Sequence, residues 1–477
     1  MATRLYKYEI LLLLVPMAIM GCLRLADFDG MVGQDGYAYV DYARKIRQWW
    51  QGGIHPGDFF WPPGYPILGA LFSFSGLSVP LCMQVISCLS LSGTLIFTGW
   101  LIKSYYPQHE HKGLYSYLVL FGLFAPYFFR NGMVTTSDMT ACLMVSMCLY
   151  YGNLYVQNYK WTHLMALAFA ISIGTLVRYP VAVVLAPLVF HLAWIWIRDV
   201  KNAWHLLVVL IPLAVIALYL LFKPDYTAFL GHRALSNWAF KNYFIGAFNT
   251  EDGSTHHFLP NLIFIFSPFF HPGWIWPGLV FIWFSLKSKE GLPGLFLFGI
   301  LPYLTYALFL AGNPDQNPRH LLIGFPMVLF CCYRGYDQFF RIPGFRRYLK
   351  PALVLVLTIQ ILLSARALQP SFKRNVLERH LVDRLRALNE QASVPVLYGF
   401  DMDIAMASRG VPFEVRNLYR EEYAGFERGA LVLFNEEGLS GQWKGKNPMI
   451  NWEKLKNNYR LIIIETYKNG WQLYRIE

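Results

Sequence analysis

The sequence predicts a mainly α-helical, polytopic membrane protein of about eleven spans, followed by a small α/β domain at the C-terminal end. Three observations carry this. Of 477 residues, 55% are hydrophobic and 15% charged, against roughly 25% charged in soluble domains. Apolar runs long enough to cross ~30 Å of hydrocarbon recur from the N-terminus to about residue 368 and then stop. Beyond that point helical periodicity gives way to short strand-like runs.

A net charge of +12 raises the question of nucleic acid. The Lys and Arg residues are spread through short loops between apolar segments instead of being gathered on one polar face, so they mark membrane topology and no nucleic-acid partner is expected. All seven cysteines (Cys22, Cys82, Cys88, Cys142, Cys148, Cys331 and Cys332) lie in apolar segments. No disulfide framework or CxxC metal site is available to the C-terminal part.

Taken in order, residues 8–25 form the first span, behind Arg4 and Lys7. Ile19-Met20-Gly21-Cys22 also resembles the end of a lipoprotein signal peptide, and the many later spans favour an uncleaved helix. A polar loop covers 26–65. In it Tyr37, Val40, Ala43, Ile46 and Trp50 recur at helical spacing with Arg44, Lys45 and Arg47 between them, which predicts a helix lying in the headgroup region. Pro62-Pro63-Gly64-Tyr65-Pro66 ends the loop, and 67–77, too short to span, predicts a second interfacial helix.

Further spans are predicted at 79–102, 113–129, 137–158, 162–179, 180–197, 205–222, 260–286, 293–311, 320–339 and 350–368. Loops rich in Lys and Arg face the cytoplasm. With the N-terminus inside, these are the loops with Lys103 and Lys112, Lys160, Arg198 and Lys201, Lys287 and Lys289, and Arg341, Arg346, Arg347 and Lys350. That places 26–78, 130–136, the Arg178 turn, 223–259, 312–319 and everything after 368 on the external face. The 260–286 segment carries Pro260, Pro268, Pro272 and Pro277 and predicts a broken helix facing a cavity. No internal repeat is visible, so a transporter built from inverted repeats finds no support.

The domain division is therefore 1–368, a membrane domain whose first external loop is 26–78, and 369–477, an external α/β domain. In the latter, 373–392 reads as helix, Val394–Tyr398 and Ala430–Phe434 as strands, and Leu461–Ile464 with Trp471–Ile476 as a strand pair turning at Asn469-Gly470. It contains no phosphate loop or dinucleotide fingerprint, which leaves a structural or acceptor-recognition role.

Ionisable groups at span ends are costly and are functional candidates by default. Asp35, Asp138, Arg178 and Arg319-His320 all fall on the external side. Each has a plainer reading. Asp35 suits a solvated loop, Asp138 follows Thr135-Thr136-Ser137 as a helix-start acid would, and Arg178 and Arg319 suit headgroup anchors. His55, His256, His257 and His271 are external too, but no ligand spacing recurs among them. No metal or other cofactor is expected, with a divalent ion as the minor alternative.

Asp35, Tyr39, Ala43 and Arg44 stand in a D-x-x-x-Y-x-x-x-A-R order that resembles the first external loop of membrane-embedded GT-C glycosyltransferases, in the branch of protein O-mannosyltransferases and lipid A aminoarabinose transferases. Pro62-Pro63-x-Tyr65-Pro66 resembles that family's "PPLYP" segment, and Ser137-Asp138-Met139 its "LDMP"-like helix start. Leu176-Val177-Arg178-Tyr179-Pro180 resembles its "LTRP" turn, and Pro318-Arg319-His320-Leu321-Leu322 its "RYLLP" segment. The order and the side of the membrane agree from Asp35 to Leu322. Two positions depart: Gly36 replaces a frequent second acid, and Trp61 replaces the lysine common in the aminoarabinose branch.

The resemblance implies transfer of a sugar from a polyprenyl-phosphate donor to a hydroxyl of a lipid, glycan or protein acceptor, with inversion, at the external face. Asp35 would be the general base, and Asp138 would orient hydroxyls or share the proton. Arg178 and Arg319, with Arg44, Arg130 and His320, would bind the donor phosphate. Tyr37, Tyr39, His55, Trp61 and Tyr65 would line the sugar or prenyl path. The implied setting is a bacterial inner membrane, with the N-terminus cytoplasmic and the C-terminal domain periplasmic. The alternatives are a lipid-linked glycan ligase, a phospho-sugar transferase, and a non-enzymatic lipid-glycan transporter.

Overall fold

The computed structural model describes residues 7–108, 111, 113–198, 205, 207–208, 210–212, 214–215, 237–288, 291–342, 348–389 and 394–477. The chain forms two compact units. One comprises Met1–Gly30, Tyr42–Phe244 and Pro260–Pro370; the other comprises Met31–Asp41, Ile245–Leu259 and Ser371–Glu477.

Among the described residues, six helices are long and apolar enough to cross a membrane: Lys7–Leu25, Val79–Tyr105, Ser137–Asn158, Pro180–Arg198, Leu292–Ala311 and Lys350–Asn389. Each covers one of the eleven expected spans. The 162–179 span is the 17-residue helix Trp161–Val177. It stops there because Pro180 starts the next helix, at the position where a missing N–H costs nothing.

Three expected spans are interrupted. The 113–129 segment forms helix Leu114–Tyr117 and a π-helical stretch Leu118–Leu123, and a new helix, Pro126–Met133, starts after extended Ala125. Proline disfavours helical backbone at the residue before it, so Ala125 breaks the run. The 260–286 segment is broken, as its prolines require, into Asn261–Phe264, a 3-10 turn Ser267–Phe269 and the helix Gly278–Lys287. The 320–339 segment opens with a 3-10 stretch Pro318–Gly324 before helix Phe325–Phe340. Most of the expected 205–222 span lies outside the described residues.

The core of the first unit is helix on helix. Val79–Tyr105 buries Ser87, Ser90, Ser92, Thr94 and Thr98 along with its apolar residues. Ser90 Oγ lies 3.2 Å from Thr140 Oγ1 and Thr98 Oγ1 3.5 Å from Ser146 Oγ, on helix Ser137–Asn158. Small residues and hydroxyl contacts let membrane helices approach closely where lipid supplies no hydrophobic drive. The two helices expected in the first external loop are present as Gly33–Trp50 and Gly64–Phe72, the latter extended by a 3-10 turn Ser73–Ser75.

The second unit carries two sheets. A hairpin of β1 (Ala247–Thr250) and β2 (Gly253–His256), not foreseen in the sequence, is held to helix Glu436–Trp443 by Gln442 Nε2 donating to the Asp252 carbonyl at 2.7 Å. The other sheet contains β3 (Val396–Gly399), β4 (Glu414–Asn417), β5 (Leu431–Phe434), β6 (Leu461–Thr466) and β7 (Gln472–Ile476), in the order β4-β3-β5-β7-β6. β3 runs parallel to β4 and β5, whereas β7 is antiparallel to both β5 and β6.

β3 and β5 are buried along their whole length, as strands covered on both faces are. Trp452, from helix Asn447–Asn458, stacks on Phe434 with ring centroids 4.6 Å apart. The β6–β7 turn falls at Asn469-Gly470 as expected, with Gly470 at φ 78°. β4 was missed because Glu-Val-Arg-Asn carries no apolar run. The expected helix 373–392 proves to be the continuation of one helix, Leu349–Asn389, through Pro370. A single proline removes one hydrogen bond, and the strong helix formers on both sides of it tolerate that loss.

Candidate active site

Helix Ser137–Asn158 begins after Thr136, whose backbone is extended, and its second residue is Asp138. The Asp138 carboxylate is fully buried. Arg178 Nη2 lies 2.5 Å from its Oδ1, and Arg319 Nε donates to its Oδ2. Arg178 also donates from Nε to Ser137 Oγ at 3.1 Å. Burying an ion is costly unless it is paired and hydrogen-bonded, and here two guanidiniums take the two oxygens. Both arginine side chains are about five-sixths buried, at 15% and 16% exposure. That geometry is a clamp on Asp138, not that of headgroup anchors.

Local sequence sets each arginine. Arg178 is the extended residue between Val177, where one helix ends, and the helix beginning at Pro180. Arg319 sits in the 3-10 stretch at Pro318–Gly324, where Asn317 Oδ1 accepts from its backbone N–H at 3.0 Å. Arg130 is half-buried, 6.0 Å from the Tyr127 ring, and within electrostatic range of Arg319 and Asp138. Three guanidiniums and one carboxylate sum to +2. His320 Nδ1 lies 3.1 Å from Asp315 Oδ2, and its carbonyl accepts from the buried Tyr306 hydroxyl at 2.5 Å. The sequence therefore brings Asp138, Arg178, Arg319, Arg130 and His320 into one region of the first unit.

The Pro62–Pro66 motif braces this region. A Cβ on Gly64 would sit 2.7 Å from the Leu176 carbonyl, so only glycine lets that backbone pass so close to the residues leading into Arg178. Tyr65, fully buried, donates to the Met83 carbonyl at 2.9 Å and lies 2.7 Å from Ser87 Oγ, which reaches the Thr136 carbonyl at 3.2 Å. Gln84 donates to the Met133 carbonyl at 2.8 Å, and Thr135 N–H donates to the Gly30 carbonyl at 2.9 Å. Tyr65 thus fixes the chain ahead of Asp138 and presents no ring face. Sequence reasoning missed Gly64, Gln84 and Tyr306; a glutamine inside an apolar span was the available signal.

Asp35, Tyr37 and Tyr39 belong to the second unit. Asp35 is half-buried in the first turn of helix Gly33–Trp50, where the positive end of the helix dipole favours a carboxylate. Tyr39 is fully buried. Tyr37 is buried as well, donating its hydroxyl to Glu378 and accepting from Arg409 Nε at 2.8 Å. Arg374 joins Glu378 at 2.9 Å to Asp401 at 2.8 Å. Tyr37 and Tyr39 are therefore packing residues, in place of the exposed sugar platforms expected of them.

Arg44 is half-buried on the same helix, within the first unit. His55 is exposed, edge-on to Trp49 at 4.9 Å; Trp61 is half-buried against Phe59 at 5.4 Å and Phe60 at 5.1 Å. Of the expected aromatic contacts, Trp61 and His55 are the ones left accessible. Among the described residues, no group of three or more His, Cys, Asp or Glu side chains could hold a metal ion.

Residues 66–222, which include Arg130, Asp138 and Arg178, match the family described as dolichyl-phosphate-mannose-protein mannosyltransferase. No curated protein matches by sequence. Among solved structures, ArnT from Cupriavidus metallidurans bound to undecaprenyl phosphate superposes with a TM-score of 0.61 at 12% identity, covering 97% of both chains. The fold is the GT-C fold. The same ArnT in its apo state gives 0.52 at 14% identity, over 96% of this chain and 97% of that one. The fold and the family match agree with the motif resemblance, and the long apolar helices support an integral membrane protein.

Proposed function

We propose that the protein transfers a sugar from a polyprenyl-phosphate donor to an acceptor hydroxyl at the external membrane face, by inverting displacement. The observation that carries this reading is the pair of arginines clamped on Asp138 with Arg130 nearby, a cationic cluster of which Arg130, Asp138 and Arg178 fall in the segment that matches a mannosyltransferase family. As the glycosidic bond breaks, the donor's phosphate diester becomes a monoester and gains charge. Prearranged guanidiniums lower the energy of that charge without reorganising, and their planar donors match phosphate oxygens. Both carboxylate oxygens of Asp138 face arginines, so its part is to position those arginines instead of accepting a proton.

Asp35 is the proposed general base, accepting the acceptor's proton as the new bond forms. A hydroxyl is a poor nucleophile at neutral pH, so alignment of acceptor and donor supplies much of the remaining acceleration. Trp61 and His55 are the proposed contacts for sugar or prenyl groups. The bacterial inner membrane, with N-terminus cytoplasmic, is the proposed setting.

The test is transfer by the purified protein in nanodiscs from a panel of polyprenyl-phosphate sugars, read as released polyprenyl phosphate. At least one donor turns over, and Arg178→Ala and Arg319→Ala each lower kcat by about 10²–10³. Full turnover in both variants, or no turnover with any donor, would overturn the reading.

A further inference from the structure

Asp35, the proposed base, lies in the first turn of helix Gly33–Trp50. The N–H groups of a first turn have no partner within the helix, and element ends open more readily than core turns. A general base tolerates little play, since a misplacement of about 1 Å costs on the order of 10² in rate. Groups outside the helix have to hold this turn.

The ties come from the C-terminal segment. Asn375, fully buried on helix Leu349–Asn389, donates from Nδ2 to the Met31 carbonyl at 3.2 Å, four residues ahead of Asp35. Glu378, fully buried on the same helix, accepts from the hydroxyl of Tyr37, two residues beyond Asp35. Arg409 Nε donates to that hydroxyl at 2.8 Å, with its guanidinium 5.3 Å from the ring centre. Ser408 Oγ donates to Asp41 Oδ1 at 2.7 Å. All of these residues belong to the second unit.

The helix face they take is the informative part. A helix turns about 100° per residue, so Tyr37 and Asp41, four residues apart, share a face, and Asp35 stands about 200° round from Tyr37. The hold falls on the side away from the proposed base and leaves Asp35 half-buried.

The hold is itself fixed. Glu378 Oε1 accepts from Arg374 Nε at 2.9 Å, and Arg374 donates from Nη1 to Asp401 Oδ2 at 2.8 Å and from Nη2 to the Asp401 carbonyl at 2.9 Å. Arg409 Nη2 lies 3.7 Å from Glu378 Oε2. Two arginines and two carboxylates cancel in charge. A buried ion network adds little net stability over apolar packing of the same volume. What it supplies is a defined arrangement of the groups it joins.

We propose that Asn375, Glu378, Ser408 and Arg409 are positioning residues for Asp35, and that through Met31, Tyr37 and Asp41 the C-terminal segment fixes the turn from which the base acts. The effect on transfer rests on the reading of Asp35 as the base; the hold on residues 31–41 does not.

The experiment compares three variants of the full chain in nanodiscs. Tyr37→Phe removes one hydroxyl and keeps the buried ring. Ser408→Ala, a milder change at a half-buried position, serves should the first variant misfold. Arg384→Gln, the control, breaks an ion pair from the same helix to Glu465 on β6. Two quantities are read: hydrogen exchange of the peptide covering 31–41, and single-turnover transfer per bound donor, which a loss of folded protein does not change.

Tyr37→Phe speeds the exchange and slows the transfer about tenfold each, as loss of a hydrogen bond to a charged group does. Ser408→Ala changes each about threefold, and Arg384→Gln leaves both at parent values. Parent exchange at 31–41 in both tether variants would overturn the hold. Transfer per bound donor at the parent rate, or slowed equally by Arg384→Gln, would overturn the positioning. Asp35→Asn separates the two readings. If it abolishes transfer while the tether variants transfer like the parent, the positioning assignment falls and the base stands. If the tether variants loosen 31–41 while Asp35→Asn still transfers, Asp35 falls as the base and only the hold remains.

Discussion

Arg178 and Asp138 form an ion pair 2.5 Å long between two helices of the membrane unit, and the carboxylate in that pair is wholly buried. Arg319 occupies the other oxygen. The acid is therefore an anchor, and neutralising it has a predictable effect. Asp138→Asn leaves two mostly buried guanidiniums without their counter-charge, which costs about 3–5 kcal/mol. Thermal unfolding in detergent should show the loss, and transfer should fall even in the fraction that stays folded.

Asp35 belongs to the chain's second unit and is half-buried at a helix start. Asp35→Asn preserves shape and gives up a helix-dipole contribution of about 0.3–1 kcal/mol, so the protein should still fold and express while single-turnover transfer is abolished. Retained turnover would remove Asp35 as the base.

Gly64 passes the Leu176 carbonyl so closely that a methyl group would sit 2.7 Å from it. Gly64→Ala should push back the turn that carries Arg178. The cost of such overpacking is about 1–3 kcal/mol. The diagnostic sign is a lower kcat with little change in acceptor KM, because in the proposed reaction the displaced group serves the departing phosphate.

Burial lifts the Asp403 carboxyl from 3.8 to about 6, although the Asn417 hydrogen bond pulls the other way. A raised carboxyl pKa means that the folded state keeps its proton longer than the unfolded one. The resulting stabilisation is complete below about pH 4 and is lost as pH rises through about 6, amounting to about 3 kcal/mol at most. Hydrogen exchange in β3 and β4, corrected for intrinsic rates, should show stronger protection at pH 4.5 than at pH 7. In Asp403→Asn the part of that difference due to this residue should disappear.

The side of the membrane can be read directly. Asp315 is about half exposed and salt-bridged to His320. In a background lacking Cys22, an exposed native cysteine, Asp315→Cys should react with an impermeant thiol reagent added outside intact cells. Labelling only after the cytoplasmic face is opened would reverse the assigned topology.

Much of this was legible in the sequence because membranes impose simple rules. Span length and proline placement located the helices, and charged residues at span ends marked Asp138, Arg178 and Arg319. Side-chain roles were harder, because Tyr37, Tyr39 and Tyr65 look alike as exposed rings and as buried hydroxyl donors. Only their partners Glu378, Arg409 and Ser87 separate the two, and the first two lie more than 300 residues from Tyr37. β4 escaped because its four residues have no apolar signature, and Gly64 because a close backbone approach leaves no mark on composition.

The clamp on Asp138 also has an order of assembly. Arg178 follows Asp138 by 40 residues, whereas Arg319 comes 141 residues after Arg178. At about 5–20 residues per second during synthesis, the nascent chain spends on the order of ten seconds with the first arginine made and the second not yet made. During that interval Asp138 and Arg178 can enter the bilayer as a neutral pair beside Arg130, and the second surplus positive charge arrives only with the late segment. Biogenesis thus spares the membrane a bare buried carboxylate and completes the cationic cluster only once most of the surrounding helices have been made.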